Sequence, residues 1–265
     1  MAQIRPRNPE LALGDVPRHW FGDNAFATHI VNGVNLLFPD GERFFVRSVK
    51  RILDRLDEPE LAAQARGFFG QEGRHAHAHE EFFDTLRAQG YRIDDFLRVY
   101  RRVCYQLLEK RLPAMVNLAG TAACEHFTAI LAAGVLGGPL LEEAHPAMKR
   151  LLLWHAAEEI EHRSVAFDVF RAAGGTYRDR MIGLAFVTLL LGGFWIAATV
   201  MLHRQDGLGL PRLRRDVGLV FGRRRLFRDV FVRGIRDYMR RDFHPSQQDL
   251  DHLAQTYLAA AGMAA

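Results

Sequence analysis

Gly70-Gln71-Glu72-Gly73-Arg74-His75-Ala76-His77-Ala78-His79 and Trp154-His155-Ala156-Ala157-Glu158-Glu159-Ile160-Glu161-His162 are the two stretches that decide how this chain folds. Each contains Glu-x-x-His, as Glu72 with His75 and as Glu159 with His162. Residues three apart share one face of a helix, so both side chains of each pair can reach one point. A carboxylate and an imidazole so placed suit a first-row transition metal. One such pair is weak evidence; two, on separate long helices, form a pattern. The di-metal carboxylate bundle also needs a lone Glu from each of two further helices. Glu42, in Pro39-Asp40-Gly41-Glu42, and Glu125, in Ala122-Ala123-Cys124-Glu125-His126, fill those places. Glu42 precedes Glu72 by 30 residues and Glu125 precedes Glu159 by 34, which fits two helical hairpins.

Helical stretches punctuated by Pro and Gly surround these motifs, and few runs alternate with a period of two. The first 37 or so residues read as an irregular lead-in. The pattern predicts helices from Pro39-Asp40 to about Leu56, from Pro59 to Gln89 before Gly90, from Asp94-Asp95 to Leu136 with a kink at Pro113, and from Pro146 to Ala173. The fold class expected is all-α, a ferritin-like antiparallel four-helix bundle over residues 1–175. A C-terminal helical extension, 176–265, follows, packed on the same domain or on a membrane.

That extension opens with Met181 to Leu202, 22 residues without a charge, long enough to span a bilayer. Basic residues flank it on both sides (Arg178 and Arg180 before, Arg204 after), an arrangement that one crossing cannot place wholly on the cytoplasmic side. A helix against the bundle, a dimer interface and a shallow membrane seat are the readings that remain. A basic amphipathic stretch over 211–242 comes next, then a short helix over Gln247 to Ala260. The net charge of +4 is uneven: from His203 to Pro245 there are twelve Arg against five Asp. Such a tail suits a membrane surface or a solvated helix face; signatures of nucleic-acid readers are missing. Cys104 and Cys124 lie in apolar runs, and the start lacks a secretory leader's apolar core, so a cytoplasmic setting, peripheral or integral at the inner membrane, is expected.

Glu125 interrupts an apolar run from Ala114 to Val135, where a carboxylate is costly unless it is paired or bound to a cation. Glu42 lies in the first turn of its helix, where a carboxylate also complements the helix dipole. His79 lies one turn beyond His75, and His155 lies four residues before Glu159; these two are the candidate catalytic or supporting imidazoles. Glu158 competes with Glu159 for the ligand role, and the match to the Glu72–His75 spacing favours Glu159. The metal set is thus Glu42, Glu72, His75, Glu125, Glu159 and His162, holding two ions, with iron expected ahead of manganese or zinc.

The chain resembles a bacterial family of predicted metal-dependent hydrolases with a ferritin-like cast. The matching pieces are Phe38-Pro39 leading to Glu42, Glu72-x-x-His75 with His79, Glu125-His126-Phe127-Thr128-Ala129, the segment Trp154 to His162, and Phe243-His244-Pro245, together spanning roughly residues 20 to 245. The resemblance implies metal-dependent chemistry at these positions. The site chemistry itself leads us to expect two irons activating dioxygen to oxidise a small or lipid-like substrate, with an electron donor as partner. A di-metal-activated water for hydrolysis is the alternative, and a non-enzymatic metal-binding protein the third. Phe45, Phe68, Phe69, Phe82 and Phe127 are candidates for an apolar channel, or else plain core. The expected partners are a small-molecule or lipid-like substrate, a membrane surface and a second copy of the chain, without nucleic acid.

Overall fold

Four helices carry a mostly apolar inner stripe that is interrupted by buried Glu and His. A computed structural model describes residues 4–222 and 232–263 and is all-α, with no β-strand among them. The part of the expected basic stretch that falls on 223–231 lies outside the described residues. In chain order the helices are α1 (Ala25–Asn35), α2 (Phe38–Leu53), α3 (Pro59–Ala88), α4 (Asp94–Arg101), the turn α5 (Glu109–Arg111), α6 (Ala114–Leu136), α7 (Pro146–His162), α8 (Val165–Ala172), α9 (Tyr177–Gln205), α10 (Leu210–Gly222), α11 (Arg233–Tyr238) and α12 (Asp251–Ala260).

Along α3 the buried stripe runs Ala65, Phe68, Glu72, His75, His79, Phe82, Leu86, alternating steps of three and four. Leu118, Ala122, Glu125, Ala129 and Ala132 repeat the pattern on α6. Helices α2, α3, α7 and α6 pack in a ring, α2 on α3, α3 on α7, α7 on α6 and α6 on α2. One apolar core, with Phe45, Phe68, Leu118 and Ala122, lies on one side of the polar layer. A second, with Phe82, Leu86, Leu151 and Trp154, lies on the other. The Glu and His residues therefore lie between two hydrophobic plugs.

Several boundaries differ from those the sequence pattern predicts. The lead-in contains α1, started by the Asn24 side chain, which accepts a hydrogen bond from the Ala27 N–H. The predicted helix from Asp94 to Leu136 divides into α4, α5 and α6, with a π-helical stretch, Arg102–Leu108, joining α4 to α5. Pro113 ends the run outright: Leu112 before it is extended, as a residue preceding proline prefers, and α6 starts afresh. The predicted fourth helix breaks at Arg163-Ser164 into α7 and α8. Gly90 terminates α3 as expected, with φ +88°.

Helix α9 covers the apolar run and lies against α6 and α1. At Gly183 a Cβ would sit 2.6 Å from the backbone of Ala119, so the two helices touch main chain to main chain. Gly183→Val is therefore expected to destabilise the fold by about 1–3 kcal/mol, read as a lower denaturation midpoint. Both α6 and α9 are long and apolar enough to cross a membrane. In its most apolar window α6 is 67% buried and α9 only 22%. Ile182, Leu189, Ile196 and Val200 form one exposed stripe on α9. Arg180, expected as a basic flank of the apolar run, is instead buried, and its guanidinium donates to the carbonyls of Arg240 and Phe243.

Candidate metal centre

Each ring helix delivers its part of the motif to the same layer. Helix α2 brings Glu42, α3 brings Glu72, His75 and His79, α6 brings Glu125, and α7 brings His155, Glu159 and His162; all eight are buried. His162 Nε2 lies 3.1 Å from Glu72 Oε1 and 3.4 Å from both Glu125 Oε2 and Glu159 Oε1. It makes a hydrogen bond to none of them. His75 Nδ1 lies 3.5 Å from Glu159 Oε1 and 4.0 Å from Glu72 Oε1. On the α2 side His155 Nε2 donates to Glu159 Oε1 at 2.9 Å and stands 3.7 Å from Glu42 Oε1. Ligand atoms of Glu72, Glu125 and His162 cluster within 4.8 Å of one another, and so do those of Glu42, Glu72 and His75.

These atoms point inward with nothing to bond. Both oxygens of Glu42, Glu72 and Glu125, Oε2 of Glu159, Nδ1 of His75 and Nε2 of His162 are buried without a hydrogen-bond partner among the described residues. Orphaned buried carboxylate oxygens are expensive, and cations fitted among them remove the cost. The donor set of four carboxylates and two imidazoles suits two such ions.

Electrostatics tell the same story. Burial, then the charge of Glu72, pushes the Glu42 and Glu125 carboxyls well above the usual range. Burial likewise raises Glu72, against the pull of His162. Glu159 moves the other way: burial opposes its ionisation, but His162, His155 and His75 outweigh burial and hold it well below the usual range. Burial also works against a charged His75, yet the hydrogen bond to Glu158 and the nearby carboxylates of Glu159 and Glu72 raise it to about 9. His155, where burial and the neighbouring His75 dominate, falls to about 4.

The outer contacts fix which imidazole nitrogen faces inward. His75 Nε2 donates to Glu158 Oε2 at 3.0 Å, leaving Nδ1 for the centre. His162 Nδ1 donates to Gln71 Oε1 at 2.8 Å, leaving Nε2. Of the two neighbouring glutamates Glu159 points into the layer, while Glu158 meets His75 from outside. Glu158 in turn accepts from the backbone N–H and guanidinium of Arg7, which also grips Glu161 at 2.6 Å. Such supports set ligand orientation and basicity. Glu158→Gln is expected to weaken metal binding by about 10–100-fold with the fold retained, measured by competition with a chromophoric chelator.

Sequence reasoning missed Arg7 and Gln71, which act through contacts 151 and 91 residues away. Gln71 carried a signal, since it stands four before His75 within the motif; Arg7 carried none. His77 is exposed beside Glu81, and His126 hydrogen-bonds the Gly234 carbonyl, so neither joins the centre. His79 does lie beside it, sharing a 2.6 Å hydrogen bond between its Nε2 and His155 Nδ1.

A cavity of about 570 Å³ reaches the layer at His155 and Glu159. Its walls come from Ile30, Val31 and Val34 of α1, Leu131 and Val135 of α6, and Phe38. Of the two readings of the phenylalanines, plain core is the one the structure gives: Phe45, Phe68 and Phe82 are core, and Phe69 and Phe127 pack against it.

The family model described as "Predicted metal-dependent hydrolase" matches residues 5–249. No curated protein and no solved structure gives a significant match.

Proposed function

Because the chain belongs to the family of predicted metal-dependent hydrolases, we propose that it hydrolyses an organic substrate at a two-metal centre held by Glu42, Glu72, His75, Glu125, Glu159 and His162. The observation that carries this reading is the inward set of buried, unbonded carboxylate and imidazole atoms. Four carboxylates bring four negative charges, which two divalent cations offset. Two ions there would supply activation of water and polarisation of the scissile group. The protein's part is to place and protonate. His155 stands at the junction of cavity and centre. The ring carries its proton on Nε2, where it donates to Glu159, and its Nδ1 accepts from the Nε2–H of His79, so the pair holds a proton at the mouth of the centre. Phe38 packs against both rings, with centroids 4.8 Å away, and holds the pair in place.

The test loads the purified protein separately with zinc, manganese and iron and assays carboxylic ester, amide and phosphoester substrates. Turnover that chelation removes and metal restores supports the reading, with His155→Gln lowering kcat by about 10²–10⁴-fold at unchanged metal content. No hydrolysis with any metal would sink it.

Two irons activating dioxygen are the second reading, favoured by the excess of hard carboxylate oxygens over imidazoles. Stoichiometric oxygen uptake by iron-loaded protein would support it, and inert behaviour towards oxygen would end it. The exposed Ile182–Leu189–Ile196–Val200 stripe further supports a peripheral membrane seat. Co-flotation with anionic vesicles is the expected result. Full recovery in the soluble fraction, or a dimer closing over the stripe, would count against that seat.

A further inference from the structure

The cavity that meets the centre has a mostly aliphatic lining, with Asn24, Thr128 and Glu143 among its walls and His155 and Glu159 at the metal layer. Between α1, α6 and α10 its surface comes from Ile30, Val34, Leu131, Val135 and Leu219, while His155 and Glu159 stand where it meets the metal layer. Trp195 of α9 closes one side, and its indole N–H donates to the Ile30 carbonyl at 2.7 Å, tying that wall to α1. The volume of about 570 Å³ falls within the range of small-molecule pockets. Among the described residues that line it there is no Lys or Arg. A second anionic group on the substrate would meet either the Glu143 carboxylate or aliphatic side chains, and neither stabilises it. A substrate with one alkyl chain and one hydrolysable head matches the division of the surface.

We propose that the substrate is an acyl compound with a single long alkyl chain, an ester in the simplest case. Its chain lies between α1 and α6, and its carbonyl is presented at His155 and Glu159. This rests on the hydrolytic reading above for the reaction, but on the cavity alone for the chain. In the reaction the oxygen of water forms a bond to the acyl carbon and the carbon–oxygen bond to the alcohol breaks. The alcohol leaves with one proton, and the acyl group is released as the carboxylic acid. No oxidant or reductant is needed.

Two measurements separate the parts. In the first, a dansylated undecanoic acid is titrated into metal-loaded protein and followed by its fluorescence. Laurate is expected to displace the probe, and acetate is not. Val34→Trp and, separately, Leu131→Trp, which fill the cavity from opposite walls at half-buried positions, are expected to weaken the probe at least tenfold with metal content unchanged. Equal competition by laurate and acetate, or undiminished binding in both variants, overturns the chain site. In the second, p-nitrophenyl acetate, butyrate, octanoate and laurate are compared. The value of kcat/KM is expected to rise by about threefold per added methylene while the chain is being buried. In the tryptophan variants the laurate-to-butyrate ratio should fall at least tenfold. A flat dependence on chain length overturns the substrate assignment. Probe binding without turnover of any ester overturns the hydrolytic reading and leaves the chain site standing.

Discussion

Purified wild-type protein is expected to carry close to two metal ions per chain, and Glu125→Ala or His162→Ala is expected to lose them. The two residues sit at the most crowded point of the layer, where His162 Nε2 faces oxygens of Glu72, Glu125 and Glu159 within 3.4 Å. Removing either breaks one ligand cluster and leaves the remaining buried carboxylates without balancing charge. Breaking a buried charge set by removing one member typically costs about 3–5 kcal/mol, more than two decades in affinity. Elemental analysis after dialysis reads the result directly. Full occupancy in both variants would show that the cluster is not a metal site.

The second large effect is the response of the metal-free protein to pH. His75 is raised from its ordinary value to about 9, and His162 is raised as well. A histidine whose pKa is higher folded than unfolded stabilises the fold below the unfolded value, near 6.5, and that stability disappears as pH rises through the folded value. Glu42 and Glu125, raised in the fold, act in the same direction from about pH 4.5 upward. Glu159, held low, contributes stability that is lost only on acidification and so does not offset the alkaline decline. Chelated protein should therefore lose stability between about pH 6.5 and 9, on the order of 3 kcal/mol from His75 alone. Metal-loaded protein, whose imidazoles and carboxylates are committed to cations, should not. Thermal melts of both forms across that range check the difference, and parallel curves would refute it.

The Glu and His layer was legible because it is written in a local period. Glu72 with His75 and Glu159 with His162 are one turn apart, so their convergence follows from helix geometry. Glu125 announces itself by its cost in an apolar run. The hidden parts depend on distant contacts or on buried polar surface. Helix α1 escaped because Thr28, His29, Asn32 and Asn35 are buried on it, which blurs the amphipathic signature that Ile30, Val31 and Val34 would otherwise give. The break at Arg163-Ser164 has neither proline nor glycine to mark it. The cavity was not legible because composition cannot say which side of a helix an aromatic ring occupies. Phe45, Phe68 and Phe82 fall on the inner stripes and fill the plugs, while the cavity opened behind α6, between elements far apart in sequence. The reaction was the least legible feature. The ligand spacing alone led to dioxygen, whereas the family to which the chain belongs favours the hydrolytic alternative.

Helix α6 has no idle face. From Asn117 to His126 ten consecutive residues are buried, and the helix packs against α2, α7, α8 and α9 while lining the cavity. Evolution therefore has almost no freedom along this helix. In a saturation library scored for folded protein, this decade of residues should form the least permissive stretch, accepting little beyond Ala, Gly, Ser and Cys exchanges at its small positions. The outward stripe of α9, equally apolar to the eye, should accept polar substitutions with little loss of folding. Hydrophobicity records constraint in the first helix and opportunity in the second.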